Sequence, residues 1–286
     1  MNKLNDSHRA AIIRALVEGN SVRATSRLTR TAKATVLKLL VEVGEFCSIY
    51  SDNALQNLST TRIEAEEIWS FVGAKAKNAT MDGHGDLWTY TAIDADSKLI
   101  ISWLVGQRNH KTTEVFMVDV AERLANRVQV TTDGLGWYLS AVENAFGWNG
   151  VDFAQIVKTY GMPRDETERA RRYSPMVCTD AIKTRIMGEP NMDNLSTWFV
   201  ERSNLSMRMG IRRSTRITNA FSKKAENHAH AVSLYFMFYN YCRPHQTLTK
   251  AANGIKTIPA MAAKLTDHVW TIEEILEMMG PNYPLH

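Results

Sequence analysis

The spacing of apolar residues changes near residue 60, and this change constrains the fold more than any other feature of the chain. Between Ser7 and Gly44 apolar residues recur every three to four positions, which predicts short helices, with a first stop at Gly19. From Ile63 to Val105 the spacing becomes two, which predicts strands. The sequence therefore predicts an all-α segment followed by an α/β region.

Residues 1–45 are predicted to form three short helices. Ser7 and Ser21 can cap the first two, and Gly44 follows the last apolar position of the third. A tight link before the third helix favours a helix-turn-helix, whose last helix enters the major groove of DNA. A generic three-helix bundle has the same periodicity, so both interpretations stay open. Residues 46–62 lose the periodicity and are predicted to be a linker.

Residues 63–245 are predicted to form one mixed α/β domain, because strands are followed by a helix, a further strand and more helices. Strands are predicted at Ile63–Val72, Leu87–Ile93, Leu99–Val105 and Arg127–Thr132, and helices at Thr113–Leu124, Thr197–Gly210 and Ala225–Cys242. Prolines and alternating charges between 149 and 195 indicate an insertion in this domain, and 246–286 are predicted to be a C-terminal tail.

Several classes of protein are excluded by the sequence. No apolar run approaches the ~18–20 residues of a membrane span, so no membrane partner is expected. The N-terminus lacks the continuous apolar stretch of a secretory signal. The three cysteines are widely spaced and odd in number, which argues against a disulfide framework and predicts a reducing, cytoplasmic location.

Positive charge is concentrated in two segments, although the whole chain carries only +4. Residues 1–45 hold eight Lys or Arg against four acids, and residues 202–224 hold seven with no acid. Such segments suit a polyanion, because each phosphate contact releases counterions. The candidate DNA-binding residues are Arg23, Arg27, Arg30, Lys33 and Lys38 in the first segment, and Arg208, Arg212, Arg213, Arg216, Lys223 and Lys224 in the second.

Candidate catalytic acids lie at the ends or on the faces of predicted elements. Asp133 directly follows a strand, and Glu201 shares a helix face with Asn204. Glu66 and Glu67 point to opposite sides of a strand, so only one of them can face a common site. Each acid alone has an ordinary interpretation, as a turn residue or part of a solvated ion-pair face.

Several segments together resemble a known family. They are Glu66 to Gly73 (EEIWSFVG), Thr132-Asp133-Gly134, Val200 to Asn204 (VERSN), Phe221 to Lys224 (FSKK) followed by His228, and Tyr239 to His245 (YNYCRPH). In this order and spacing they are similar to the transposases of the insertion-sequence-one family and their bacterial relatives. The resemblance covers about residues 60 to 270, and a preceding helix-turn-helix fits the same architecture.

The resemblance implies an RNase H-like mixed sheet flanked by helices, with three acids that hold two Mg²⁺ ions and accept Mn²⁺ in their place. The acids fall on Glu66, Asp133 and Glu201, with Asn204 and His228 as possible accessory residues. Where the family has Asp, this chain has Glu66, which is one methylene longer. Whether Glu66 supports turnover, or Asp94 at the strand turn takes its place, is left open.

The implied function is that of a bacterial insertion-sequence transposase in the cytoplasm and nucleoid. It would bind terminal inverted repeats through residues 1–45, cleave the ends, and join them to target DNA as a homo-oligomer, at least a dimer. Two alternatives remain. One is a catalytically impaired or domesticated DNA-binding protein, and the other is an RNase H-like nuclease that acts on RNA or branched DNA.

Overall fold

The structure is a computed structural model that describes residues 4–161, 177–215 and 218–280. Three helices precede the sheet and further helices cover it. The helices are α1 (Asp6–Val17), α2 (Val22–Leu28), α3 (Lys33–Ala54), α4 (His110–Glu122), α5 (Trp137–Phe146), α6 (Trp198–Gly210), α7 (Ala225–Met237), α8 (Gln246–Ala251), α9 (Pro259–Ala262) and α10 (Ile272–Met279). A single π-helical turn, Phe238–Cys242, continues α7.

The described strands form one six-stranded sheet in the order β3-β2-β1-β4-β5-β6. Their bounds are β1 (Arg62–Val72), β2 (Gly85–Asp94), β3 (Ile100–Gly106), β4 (Val128–Asp133), β5 (Val151–Gly161) and β6 (Val177–Met187). β1 and β4 run parallel, as do β4 and β5, and the other neighbours are antiparallel. The mixed α/β prediction is confirmed, and the sheet with its flanking helices is compatible with an RNase H-like fold.

The N-terminal helices pack directly against the sheet domain. One close contact is at Gly44, where the sequence predicted the end of a helix. Gly44 does not end its helix. A Cβ there would lie 2.5 Å from the Cβ of His230, so the absent side chain lets α3 and α7 approach closely. The predicted linker 46–62 is wrong over its first part, since α3 runs to Ala54 and buries Phe46 and Cys47. The helix-turn-helix assignment and the domain boundaries stay predictions.

Residues 149–195 contain two strands, which corrects the prediction of an irregular insertion. β5 buries Val151, Phe153 and Ile156 and pairs in parallel with β4. β6 has no pattern of buried apolar residues that the sequence could reveal, because residues 178–185 are exposed. The strand forms through its hydrogen-bond ladder with β5. Residues 162–176, within the same predicted insertion, lie outside the described part of the chain.

Residues 246–280 are also structured, whereas a tail was predicted. α10 begins with a capping box formed by Thr271 and Glu274 and buries Ile272, Ile275 and Leu276 in the main core. An ion pair between Arg14 and Glu273 connects α1 to α10. Among the described residues, no helix combines the length and the hydropathy that a membrane crossing requires.

Candidate active site

Two neighbouring strands place the first two candidate acids side by side. Ala65 of β1 lies opposite Thr132 of β4 in a parallel pairing, so the next residues, Glu66 and Asp133, are neighbours. Paired residues of adjacent strands point to the same face of a sheet. The carboxylates of Glu66 and Asp133 therefore share one face, on the side that α6 covers.

The helix that carries the third acid is held on β1 by another carboxylate. Glu64 Oε2 accepts hydrogen bonds from the backbone N–H groups of Phe199 (2.7 Å) and Val200 (3.0 Å). Thr197, at the start of α6, makes no side-chain cap, so Glu64 takes that role from a neighbouring strand. Burial raises the pKa of Glu64, and the two N–H groups that it accepts from oppose that rise.

A second contact fixes the direction of α6 along the strand. Asn204 Nδ2 donates to Glu66 Oε2 at 2.8 Å. From Glu64 to Glu66 the strand advances about 7 Å, and from Phe199 and Val200, which Glu64 contacts, to Asn204 the helix advances by about the same distance. Helix and strand therefore run side by side in the same direction, which brings Glu201 to the face that carries Glu66.

Glu201 is engaged by two side chains. Its Oε1 accepts a hydrogen bond from Thr197 Oγ1 at 2.6 Å and forms an ion pair with Lys158 of β5. The side chains of Glu201 and Lys158 are about one third and one quarter exposed, so the pair lies at the rim of the site. Lys158 thus supplies a cation among acids of the same face.

Burial and mutual repulsion define the electrostatics of the site. Burial, and after it the nearby carboxylates of Glu201 and Asp133, together raise the pKa of Glu66 to about 8, against the hydrogen bond from Asn204. Burial also raises the pKa of Asp133, although its Oδ1 accepts a hydrogen bond from the N–H of Leu135 at 3.1 Å. The three predicted acids are therefore close enough to interact, and Glu66 carries a proton at neutral pH.

Glu67 lies on the opposite face of β1, as strand alternation predicted. It accepts a hydrogen bond from Arg108 Nε at 2.7 Å and one from Tyr138 Oη at 3.2 Å. Arg108 also stacks on Trp88, with 4.8 Å from the guanidinium carbon to the ring centre. Burial, and after it the nearby carboxylate of Asp133, raises the pKa of Glu67 against its bonds to these partners. Glu66 is the residue of the pair on which both Glu201 and Asp133 act.

The donor set of the site consists of oxygens. The Oδ1 of Asn204 is buried and has no hydrogen-bond partner within the described residues, so a fourth oxygen stands beside the carboxylate of Glu66. In residues 4–161, 177–215 and 218–280, no three Asp, Glu, His or Cys side chains are grouped so that they could hold a metal ion as they stand. The ion pair of Glu201 with Lys158 keeps that carboxylate engaged.

Two other candidate residues lie apart from the acids. Asp94 accepts hydrogen bonds from Thr60 and Ser97 and from the N–H of Asp96, so the turn uses its carboxylate. His228 is fully buried, and its Nε2 lies 3.4 Å from the Oγ of Ser70. Ser70 lies four residues, or about 13 Å, along β1 from Glu66. Burial and the neighbouring Arg213 lower the pKa of His228 to about 3, so its ring is neutral.

The candidate basic residues fall into different environments. Six of them line one cavity between the N-terminal helices and the segment after α6: Arg23, Arg27, Lys33, Arg212, Arg213 and Lys223. Arg208 donates to the carbonyl of Ser214 at 3.0 Å, and Lys38 pairs with Glu42 at 3.8 Å. Arg30 and Lys224 are exposed. Arg216 lies outside the described residues.

Comparisons with known proteins identify no family. No protein-family model matches the chain, the insertion-sequence-one family included, and no curated protein matches it. One solved structure with some similarity is a cryo-EM structure of a piggyBac transposase synaptic complex with hairpin DNA. It aligns with a TM-score of 0.40 and 10 % identity, over 100 % of this chain and 78 % of that chain. A likeness of this size carries no argument about function, which rests on the geometry above.

The raised pKa of Glu66 predicts how stability depends on pH. The folded chain keeps the proton up to about pH 8, whereas an unfolded Glu loses it near pH 4.5, so the free energy of unfolding falls as pH rises through this window. In EDTA, Glu66→Gln is expected to gain on the order of 2 kcal/mol over the wild type between pH 5 and 8.5. Thermal unfolding at several pH values measures this gain.

The exposed Glu226 provides a matched control for that experiment. Glu226→Gln is expected to follow the wild type at every pH. A difference between Glu66→Gln and the wild type that does not change with pH would contradict the placement of Glu66 among other carboxylates.

Sequence reasoning missed two residues of this site. Glu64 carried a usable signal, because it lies two positions before Glu66 in an alternating strand and therefore on the same face. Lys158 carried none, since the strand that holds it was assigned to an insertion.

Proposed function

We propose that the chain is a DNA transposase that cleaves and joins DNA strands with Glu66, Asp133 and Glu201. The single observation that carries this proposal is the convergence of three carboxylates, from β1, β4 and α6, that interact strongly enough to help raise the pKa of Glu66 to about 8. Carboxylates with no compensating role in folding are costly to bring together. Such a cluster is typical of a site for cations.

The chemistry of the donors fits a hard divalent cation. Glu66, Asp133 and Glu201 would hold Mg²⁺, or Mn²⁺ in its place, because both ions prefer oxygen ligands. The unpartnered Oδ1 of Asn204 adds an oxygen at the same place. When bound, a pair of such ions stabilises the negative charge on the attacking and leaving oxygens of a phosphodiester.

The residues around the acids position them. Glu64 fixes the start of α6, and Asn204 orients Glu66 against that helix. Glu201 would give up its ion pair with Lys158 to hold a cation, and the freed ammonium would be available to a DNA phosphate. Glu66 is one methylene longer than an Asp, so its carboxylate reaches further from β1 than the family pattern requires.

DNA is the proposed partner, in the form of terminal inverted repeats and target DNA. The N-terminal helices α1 to α3 and the basic segment 202–224 carry the proposed contacts, and two ends are brought together by at least a dimer. We propose that α2 and α3 act as a helix-turn-helix, with Lys33 at the start of α3.

A plasmid that carries the coding sequence with its own flanking DNA tests this function. Incubated with purified protein and Mg²⁺ or Mn²⁺, it is expected to give nicked and joined products, and EDTA is expected to prevent them. Absence of product with either metal, together with product from Glu66→Asp, would contradict catalysis by the natural chain.

A second candidate is a DNA-binding protein without turnover. The observation that favours it is the ion pair between Lys158 and Glu201, which leaves the described acids ungrouped for a metal. It predicts duplex binding that weakens with salt and no cleavage by the wild type with either metal. The plasmid assay separates the two functions, since DNA binding is expected from both.

A further inference from the structure

The two basic segments of the chain meet at one cavity, although more than 150 residues separate them. It has a volume of about 700 Å³ and lies between the N-terminal helices and residues 211–213 and 218–223. Arg23, Arg27 and Lys33 line one side, and Arg212, Arg213 and Lys223 line the other. No Asp or Glu is among the described lining residues, so six cations face one space with no acid to neutralise them.

Close backbone contacts build the cavity into the fold. Gly19, at the turn between α1 and α2, has a φ of +78°, and a Cβ there would lie 2.4 Å from the carbonyl oxygen of Met209. The turn therefore touches the end of α6. On the other side, the N–H of Gly73 donates to the carbonyl of Ser222 at 2.8 Å, which attaches that wall to the end of β1.

Arg213 is the most informative residue of the cavity. It donates to Ser222 Oγ at 3.0 Å and to the carbonyl of Asn227, both neutral acceptors. No carboxylate of the described residues forms an ion pair with it. Burial lowers its pKa to about 10, which still leaves the guanidinium charged at neutral pH. A partly enclosed charge without a counter-ion favours binding of an anion.

We propose that this cavity binds phosphate groups of a DNA backbone, gripped jointly by the N-terminal helices and by residues 212–213 and 218–223. The inference rests on the proposed function, because it takes the phosphate from DNA. A guanidinium or ammonium group on each side suits phosphate oxygens, and the apolar floor at Leu37 and Leu40 suits the sugar. Joint contact couples DNA binding by α2 and α3 to the sheet domain that carries the acids.

A double-mutant cycle on exposed residues of the two walls tests the proposal. Arg27→Gln and Lys223→Gln are measured singly and together for binding to a 20-base-pair duplex of arbitrary sequence, in EDTA and over a range of NaCl concentrations. Each single variant is expected to weaken binding and to reduce the salt slope by about one. Arg213 is left intact, because its hydrogen bonds also hold the wall together.

The decisive quantity is the loss of affinity in the double variant. If both residues grip the same phosphates, this loss is expected to differ by at least about threefold from the product of the single losses. Losses that multiply within error would show two independent patches and overturn the proposal. Lys111→Gln and Lys250→Gln, exposed and outside the cavity, form the control cycle, with losses expected to multiply.

A second measurement identifies the source of the phosphate. Inorganic phosphate, compared with chloride at equal ionic strength, is expected to raise the Tm of the wild type more than that of Arg27→Gln/Lys223→Gln, and to compete with the duplex. Stabilisation by phosphate with duplex affinity equal in all variants would assign the cavity to a small phosphate compound and overturn the proposal. Because neither experiment needs cleavage, a failed plasmid assay leaves this test intact.

Discussion

Asp133→Asn and Glu201→Gln are each expected to reduce strand cleavage by about 10³-fold or more, with duplex affinity unchanged within about twofold. Each substitution keeps the size of the side chain and removes a negative charge that would hold a cation at the scissile phosphate. Groups that stabilise transition-state charge typically contribute factors of 10²–10³ or more. Quantified nicking of the plasmid with Mg²⁺ measures the first effect, and duplex binding in EDTA measures the second.

Matched controls come from exposed acids outside the site. Asp193→Asn and Glu277→Gln make the same chemical changes on exposed residues and are expected to leave nicking within about twofold of the wild type. Wild-type nicking rates in Asp133→Asn or Glu201→Gln would show that these carboxylates do not carry the chemistry.

Lys158→Met is expected to increase the affinity for Mn²⁺ at least about tenfold. In general, two unit charges about 4 Å apart interact by about 4 kcal/mol at an effective dielectric constant of ~20. Loss of the Lys158 ammonium therefore frees Glu201 for a cation. A third of that energy corresponds to a tenfold change in affinity. Calorimetric titration of the metal-free protein with Mn²⁺ measures the effect without DNA.

The control for this prediction is Lys183→Met on β6, whose ammonium donates to the carbonyl of Met192 and not to an acid. It is expected to bind Mn²⁺ like the wild type. If Lys158→Met binds Mn²⁺ with unchanged affinity, Lys158 does not compete with a cation for Glu201. That result would contradict the proposed exchange.

The sheet was predictable from the sequence where apolar residues recur at a spacing of two. The predictions for β1 to β4 agree with the structure within one or two residues, although burial in the folded sheet is continuous over most of β2 and β4. β6 was not predictable in this way, since exposed residues carry no hydrophobic pattern. The end of the third helix was wrongly predicted at Gly44 for a different reason. In a sequence, a glycine that makes room for His230 cannot be told apart from a glycine that ends a helix.

For the candidate site, the sequence predicted the acids but not the contacts that arrange them. Glu66, Asp133 and Glu201 were assigned from the family resemblance, and alternation showed that only one of Glu66 and Glu67 can face a common site. The ion pair of Lys158 with Glu201 depends on a strand that was not predicted. The cap that Glu64 makes joins residues more than 130 positions apart, which no local pattern reports.

A crystal structure of the metal-free chain soaked with Mn²⁺ measures the central claim directly. The account predicts anomalous peaks within about 2.0–2.3 Å of carboxylate oxygens of Glu66 and Asp133, with Glu201 turned from Lys158 toward the same ions. If saturating Mn²⁺ gives no peak between these carboxylates and leaves the ion pair of Lys158 and Glu201 intact, the result would contradict the central claim.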